Sequence, residues 1–245
     1  RDAESDSCQC ETCKSRYSKE DWQFFTSGKC SETVWWFVNE VAKEIKKTHP
    51  GKKIACFGYW DYAFYPKTVD LETNLIYSGA CLHSANWWAP AMKRNDLLCY
   101  NEWVQKLPRG HNVCVWMYQC FPWETGQQNG FRVFPSWRAH TIAEQMKMFA
   151  RDGIRGIFVC GQVTFYIDGY ITIKMMDDPD VDVDQVLNEF FTGYYGAAAE
   201  PMKQLYLAME NTYMNADNYP ENIRSGKVAG YQTEEMAWKL LGTKE

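Results

Sequence analysis

The 245-residue sequence has no long apolar run and no block of basic residues. No stretch approaches the ~18 apolar residues of a membrane-spanning helix, and the N-terminus lacks the charged, apolar and cleavage-site order of a signal peptide. Binding to nucleic acid requires clustered cations, whereas this chain has a formal net charge of -5 and dispersed Lys and Arg residues. We therefore expect neither a membrane span nor a nucleic-acid partner.

Several common catalytic motifs are also absent. The sequence has no Gly-rich phosphate loop, no Gly-x-Ser-x-Gly elbow, no His-Glu-x-x-His zinc helix and no Cys-x-x-Cys-His haem motif. The acidic run at 177–184 does not fit a calcium loop, because Gln185 stands at the glycine position of an EF-hand and Phe191 at that of its bidentate Glu. We expect Asp180 or Asp182 to cap a helix instead.

Aromatic residues are abundant, with eleven Trp, fifteen Tyr and thirteen Phe. Many stand beside polar residues, as in 57–62 and 116–118. Flat rings next to carboxylates and amides suit a pyranose, which has an apolar face of C–H groups and a rim of hydroxyls. Each aromatic residue taken alone is better explained as part of the hydrophobic core, so only the clustering of these residues favours a sugar site.

Seven of the ten cysteines fall into two groups. Four lie near the N-terminus: Cys8, Cys10, Cys13 and Cys30. These four could form two disulfides or bind zinc as thiolates, and the even total and dense cluster make disulfides the first interpretation and zinc the second. No other cofactor is expected. Three more lie in apolar runs, where we expect buried thiols: Cys56, Cys114 and Cys160.

Strand and helix patterns alternate along the chain. Strands are predicted at 54–59, 74–79, 113–118 and 154–160. Helices are predicted at 33–47, 92–107 and 139–150 and twice beyond Asp180, with a loop at 121–135. Alternation implies parallel pairing, right-handed crossovers and functional residues at the carboxyl ends of the strands. Those ends carry the candidate substrate-binding residues: Tyr59, Trp60, His83, Trp116, Tyr118 and Gln162.

Six segments of the sequence resemble one family. They are 5–13 (SDSCQCETC), 37–42 (FVNEVA), 59–66 (YWDYAFYP), 74–76 (NLI), 113–118 (VCVWMY) and 182–196 (DVDQVLNEFFTGYYG). The family is an uncharacterised bacterial domain family, similar in fold to the barrels of α-glucuronidases and hexosaminidases and found in large secreted proteins associated with polysaccharide breakdown. The loop at 59–66 departs from the usual pattern because it is unusually aromatic.

The resemblance covers nearly the whole chain and implies an α/β fold. Four strands are half of a closed eight-stranded barrel, so residues 1–175 would be its second half and residues 176–245 a helical extension. Earlier strands would precede this segment, which fits a start at Arg1 without an initiator Met. The implied protein is secreted or on the cell surface, and its partners would be a polysaccharide or oligosaccharide and the missing N-terminal half or other subunits.

The resemblance supplies no catalytic residues, so the candidates come from the residues themselves. Glycoside hydrolysis commonly needs two carboxyl groups, ~5 to 5.5 Å apart for retention or ~6.5 to 9.5 Å for inversion. The candidates are Asp6, which in the resemblance follows the fourth barrel strand, Asp61 after the next strand, and Glu124 beyond Tyr118. Each also has a structural alternative: Asp6 as a loop carboxylate near the cysteine cluster, Asp61 as a turn or cap residue, and Glu124 as a solvated loop residue.

Two functions follow from this sequence. One is a glycoside hydrolase with an Asp/Glu acid and base pair, in which His83 would hydrogen-bond a hydroxyl or a uronate carboxylate. The other is a non-catalytic module, stapled by cysteines, that binds glycan or a partner subunit through its aromatics. This second function needs no carboxylate pair, and in such a module His83 would have a structural role.

Overall fold

The structure is a computed structural model that describes residues 8–22, 24, 26–107, 113–119, 122–161, 166–228 and 230–243. Within them, four strands form one sheet in the order β1-β2-β3-β4: β1 (Ile54–Phe57), β2 (Leu75–Leu82), β3 (Val113–Tyr118) and β4 (Gly156–Cys160). β2 pairs in parallel with both β1 and β3. The predicted α/β architecture with a parallel sheet flanked by helices is confirmed; it is compatible with part of a β/α barrel, and in these residues the sheet does not close on itself.

Nine α-helices accompany the strands in the described residues. They are α1 (Glu11–Lys14), α2 (Ser31–Thr48), α3 (Pro90–Lys106), α4 (Trp123–Asn129), α5 (Ala139–Asp152), α6 (Tyr166–Asp177), α7 (Val183–Tyr195), α8 (Ala199–Met214) and α9 (Glu221–Arg224). A π-helical segment spans Met236–Leu241. The side chain of Asp182 accepts a hydrogen bond from the backbone N–H of Asp184 at 3.0 Å and so caps α7, as predicted for this acidic run.

The chain divides into two compact units. The first contains the described residues of Arg1–Leu82, Arg94–Met117 and Gly153–Val159; the second contains those of His83–Lys93, Tyr118–Asp152 and Cys160–Glu245. The predicted domain boundary at residue 175 stays a prediction.

Three aromatic residues form the centre of the first unit. Trp35 of α2, Tyr77 of β2 and Trp103 of α3 are at most 1% exposed, and their ring centroids lie 5.0 to 6.2 Å apart. Gly79 permits this packing, because a Cβ at that position would lie 2.2 Å from the Trp103 ring. The two helices are thereby held tightly against one side of the sheet.

The second unit has a buried ion pair at its centre. Arg138 Nη1 lies 3.0 Å from Asp168 Oδ2, both side chains are 1% exposed, and the hydroxyl of Tyr206 donates to Asp168 Oδ1 at 3.2 Å. Desolvation raises the pKa of Asp168, against the lowering effect of Arg138. Helices α5, α6 and α7 also contribute buried apolar side chains to this unit, including Ile142, Ile171 and Phe191.

Two sequence predictions about this fold were wrong. The segment predicted as a loop at 121–135 contains helix α4, capped at its C-terminus by Gly130 with φ of 74°. The three thiols expected to be buried, Cys56, Cys114 and Cys160, are partly exposed, because the helices cover only part of the surface of this sheet.

Candidate functional site

Five aromatic side chains cluster on the sheet of the first unit, and we call them the aromatic face: Phe57, Tyr59, Trp60, Trp116 and Phe158. The rings of Tyr59 and Trp116 are nearly parallel, with centroids 5.0 Å apart and planes at 22°. Phe57 lies 5.1 Å from Trp116 and 5.3 Å from Phe158. Because Phe57 and Phe158 are 43% and 46% exposed, the cluster offers flat apolar surface to a ligand.

Strand alternation places Trp116 on this side of the sheet. Along β3, Val113, Val115 and Met117 are buried, whereas Cys114 and Trp116 between them are only partly buried. Successive side chains of a strand point to opposite faces. The buried set therefore faces the helices, and Trp116 faces away from them.

The rings of the aromatic face converge from distant strands. Phe57 belongs to β1 and Phe158 to β4, three positions apart in the sheet order. Neighbouring strands are spaced ~4.8 Å apart, so the two backbones would be about 14 Å apart in a flat sheet. Their ring centroids are 5.3 Å apart, so the side chains converge, as on the concave side of a curved sheet.

The loop after β1 holds Trp60 in an unusual backbone conformation. Its φ of 53° is positive, which no other non-glycine residue in the described part of the chain shows. Two backbone hydrogen bonds flank it: Ser27 N–H donates to Trp60 O at 2.8 Å and Cys30 N–H to Asp61 O at 2.7 Å. Backbone strain of this kind is concentrated at functional sites in proteins, and here it lies within the aromatic face.

The carboxylate of Asp61 accepts a hydrogen bond from the thiol of Cys30. Cys30 Sγ lies 3.1 Å from Asp61 Oδ2, and Cys30 is fully buried at the start of α2. Two residues predicted for different sites, one catalytic and one metal-binding, are thus brought together.

The other three predicted metal ligands form a cluster of their own. The sulfur atoms of Cys8, Cys10 and Cys13 all lie within 4.8 Å of one another, with 3.5 Å between Cys8 and Cys10. Hydrogen bonding, chiefly from the Cys13 backbone, lowers the pKa of Cys10, whereas the hydrogen bond with the Cys10 side chain raises the pKa of Cys13 to about 11. A cluster of thiols such as this is suited to bind a soft metal ion.

The remaining predicted residues that the structure describes lie in the second unit. His83 is buried, and its ring stacks on Tyr118 with centroids 5.7 Å apart and planes at 16°. Glu124 is half-buried in the first turn of α4. Asp6 and Gln162 lie outside the described residues. Asp61 lies in the first unit and Glu124 in the second, so among the described residues neither unit contains two of the predicted catalytic carboxylates.

Sequence reasoning missed a cleft of about 770 Å³ in the first unit. Its walls include three carboxylates and three aromatic rings: Glu20, Glu32, Glu102, Trp22, Trp36 and Tyr65. Burial raises the pKa of Glu102, against the lowering effect of Lys67. The lining comes from four separate stretches of the chain, so no spacing in the sequence could have indicated it.

Two of the cleft's carboxylates have fixed partners. Glu20 is paired with the ammonium group of Lys67, and Glu32 accepts a hydrogen bond from the backbone N–H of Thr68 at 3.1 Å. The third, Glu102, has a pKa raised by burial, which is the property a general acid requires.

Comparisons with known proteins give one match. The family described as "Domain of unknown function (DUF4838)" matches residues 1–208. No curated protein and no solved structure matches the chain. None of the helices in the described part of the chain combines the length and hydropathy needed to cross a bilayer.

Proposed function

We propose that this chain, which belongs to the family described as a domain of unknown function, DUF4838, binds carbohydrate at the aromatic face. The proposal rests on the chain's own side chains. The match agrees with the resemblance at the level of an uncharacterised domain family. The wider proposal is that the chain is part of a glycoside-hydrolase-like barrel in a secreted or cell-surface protein that acts on a polysaccharide or oligosaccharide.

The stacked pair of Tyr59 and Trp116 is the observation that carries this proposal. In this pair the two rings are nearly parallel, and Trp116 also contacts the partly exposed side chains of Phe57 and Phe158. The C–H face of a pyranose packs on such rings without leaving a polar group unpaired, because the sugar hydroxyls stay at the rim. The loop that holds Trp60 brings a third ring close to this pair, with its centroid 6.2 Å from that of Tyr59.

Titration of the full chain with defined oligosaccharides tests the proposal. Hexasaccharides of neutral hexoses and of uronic acids serve as probes, with calorimetry and tryptophan fluorescence as readouts. We expect one series to bind and Trp116→Ala to weaken binding about tenfold or more, since a lost contact of about 1.4 kcal/mol changes affinity tenfold. Trp60→Ala should weaken the same interaction.

A matched control is Trp238→Ala. Trp238 is 45% exposed and lies in the second unit, so its removal should leave the affinity unchanged. Binding that is equally strong in wild type, Trp60→Ala and Trp116→Ala would refute the assignment of the aromatic face, as would the failure of every oligosaccharide to bind.

Hydrolysis is a second candidate function, and the cleft beside Glu102 is the observation that favours it. A carboxyl group with a raised pKa next to aromatic rings is suited to protonate a glycosidic oxygen. The carboxylates predicted from the sequence, Asp6, Asp61 and Glu124, remain alternative candidates for the pair.

The same oligosaccharides distinguish these possibilities when the release of reducing ends is measured. Loss of cleavage in Glu102→Gln with binding retained would assign the chemistry to the cleft. Loss in Asp6→Asn, Asp61→Asn or Glu124→Gln would assign it to the predicted pair. Binding without cleavage by the wild-type chain would leave the binding module as its function.

A further inference from the structure

The N-terminal cluster of Cys8, Cys10 and Cys13 contributes no residue to the aromatic face or to the lining of the cleft. Cys8 and Cys10 are exposed and Cys13 is partly exposed, so a metal ion can reach all three sulfur atoms. Cys10 is the residue that precedes α1, and Cys13 lies within that helix. The short helix thus brings the second and third thiols together, and Cys8 joins them from the preceding segment.

The sulfur separations fit a metal ion better than a disulfide. Zn–S bonds of about 2.3 Å in tetrahedral geometry place sulfur atoms about 3.8 Å apart. The three atoms lie within 4.8 Å of one another, with 3.5 Å between Cys8 and Cys10, whereas a disulfide requires about 2.05 Å. A disulfide would also use two of the three thiols and leave the third without a partner.

Cys30 does not complete the cluster. Its thiol donates to Asp61 Oδ2 at 3.1 Å, and Cys30 is buried, whereas Cys8 and Cys10 are exposed and Cys13 is partly exposed. The two interpretations of the sequence, two disulfides or one four-thiolate site, both need Cys30 as a fourth partner. The cluster in the structure contains three.

Each cysteine of the cluster has its backbone carbonyl held by another group. The hydroxyl of Tyr17 donates to Cys8 O at 2.7 Å, the backbone N–H of Lys14 to Cys10 O at 3.0 Å, and the hydroxyl of Thr33 to Cys13 O at 3.4 Å. These hydrogen bonds fix the backbone from which the three thiols project, and they do not involve the sulfur atoms.

We propose that Cys8, Cys10 and Cys13 bind one zinc ion as three thiolates and leave its fourth position open to water or an external ligand. Each thiol that binds releases one proton, so three protons leave as one Zn²⁺ enters. No electron transfer is involved.

Cobalt titration of the reduced full chain tests the proposal, with Co²⁺ as a spectroscopic substitute and Zn²⁺ as the competitor. We expect one Co²⁺ per chain, thiolate-to-cobalt charge-transfer bands, and displacement by Zn²⁺ with proton release. Cys8→Ser, Cys10→Ser and Cys13→Ser should each weaken binding by more than about 100-fold, because changes in supporting groups alone cost about 10- to 100-fold.

Cys30→Ser is the matched control. Serine can still donate a hydrogen bond to Asp61, so this variant should bind Co²⁺ as the wild type does. Equal loss of binding in Cys30→Ser would establish a four-thiolate site and overturn the three-ligand proposal. A wild-type chain that binds no Co²⁺ after reduction would overturn the metal site altogether.

The open coordination position of the metal ion can be tested separately. Imidazole added to the cobalt-loaded chain should shift the visible bands, because it can enter a free coordination position. X-ray absorption of the zinc-loaded chain should show three sulfur atoms at about 2.3 Å and one lighter atom. Four sulfur atoms, or bands that do not respond to imidazole, would contradict an open site.

Discussion

Trp60 is held in a backbone conformation that glycine adopts without strain. Its φ of 53° costs a residue with a Cβ on the order of 1 to 3 kcal/mol. We expect Trp60→Gly to be more stable than Trp60→Ala by about 1 kcal/mol, since both variants lose the ring but only glycine relieves the backbone. Urea unfolding followed by circular dichroism measures the difference.

The neighbouring residue supplies the control for this prediction. Tyr59 has an extended backbone with φ of -143°, so Tyr59→Gly should be less stable than Tyr59→Ala by about 0.5 to 1 kcal/mol. The same order of stability at both positions would show that backbone strain at Trp60 does not contribute.

Some residues of the site could be predicted from the sequence and others could not. Tyr59, Trp60 and Trp116 were found because they stand at or near the carboxyl ends of predicted parallel strands, and they lie together in the structure. The bond between Cys30 and Asp61 joins residues far apart in sequence. Only the folded chain reveals it, because neither residue belongs to a motif that includes the other.

At the level of elements, an ionic contact joins helices α5, α7 and α8. The Nδ1 atom of His140 in α5 lies 3.0 Å from Glu210 in α8, and Nε2 lies 3.6 Å from Asp184 in α7. The hydrogen bond with Glu210 is the largest cause of a raised pKa for His140, and Asp184 adds to it. In its protonated form the imidazole therefore links the three helices.

This contact makes the stability of the chain depend on pH. The folded pKa of His140 is above the ordinary 6.5, so its contribution is complete below that value and is lost as the pH rises through the folded pKa. We expect the free energy of unfolding of the wild type to exceed that of His140→Gln by more at pH 5.5 than at pH 8.5. An equal difference at the two pH values would contradict this contribution of His140.

Helices were predicted where apolar residues recur on one face and missed where they do not. α2 and α5 have apolar residues three and four apart, and both were predicted within a few residues of their bounds. α6 has β-branched and apolar residues on all sides, so it lacks an amphipathic period. In α4, a glycine and three amide side chains in seven residues are typical of a loop.

The whole chain combines an acidic charge with an exposed apolar surface. Its net charge of -5 at pH 7 falls to zero near the pI of about 5.5, which removes the repulsion between chains. We expect light scattering at low salt to show self-association near pH 5.5 and less of it at pH 7.5. Phe158→Ser should reduce association, because it interrupts the aromatic face.

Phe37→Ser is the control for this effect. Phe37 is 62% exposed on α2 and lies outside the aromatic face, so its replacement should leave the pH dependence unchanged. Equal effects of Phe37→Ser and Phe158→Ser would mean that exposed apolar area in general, and not this face, drives association.

The contact between Phe57 and Phe158 also affects the order in which the chain folds. It joins residues about a hundred positions apart along the chain. Closing so long a loop costs more conformational entropy than forming local contacts such as those within α2. We therefore expect the aromatic face to form after the helices, so that the fluorescence of Trp116 should change in a late stage of folding.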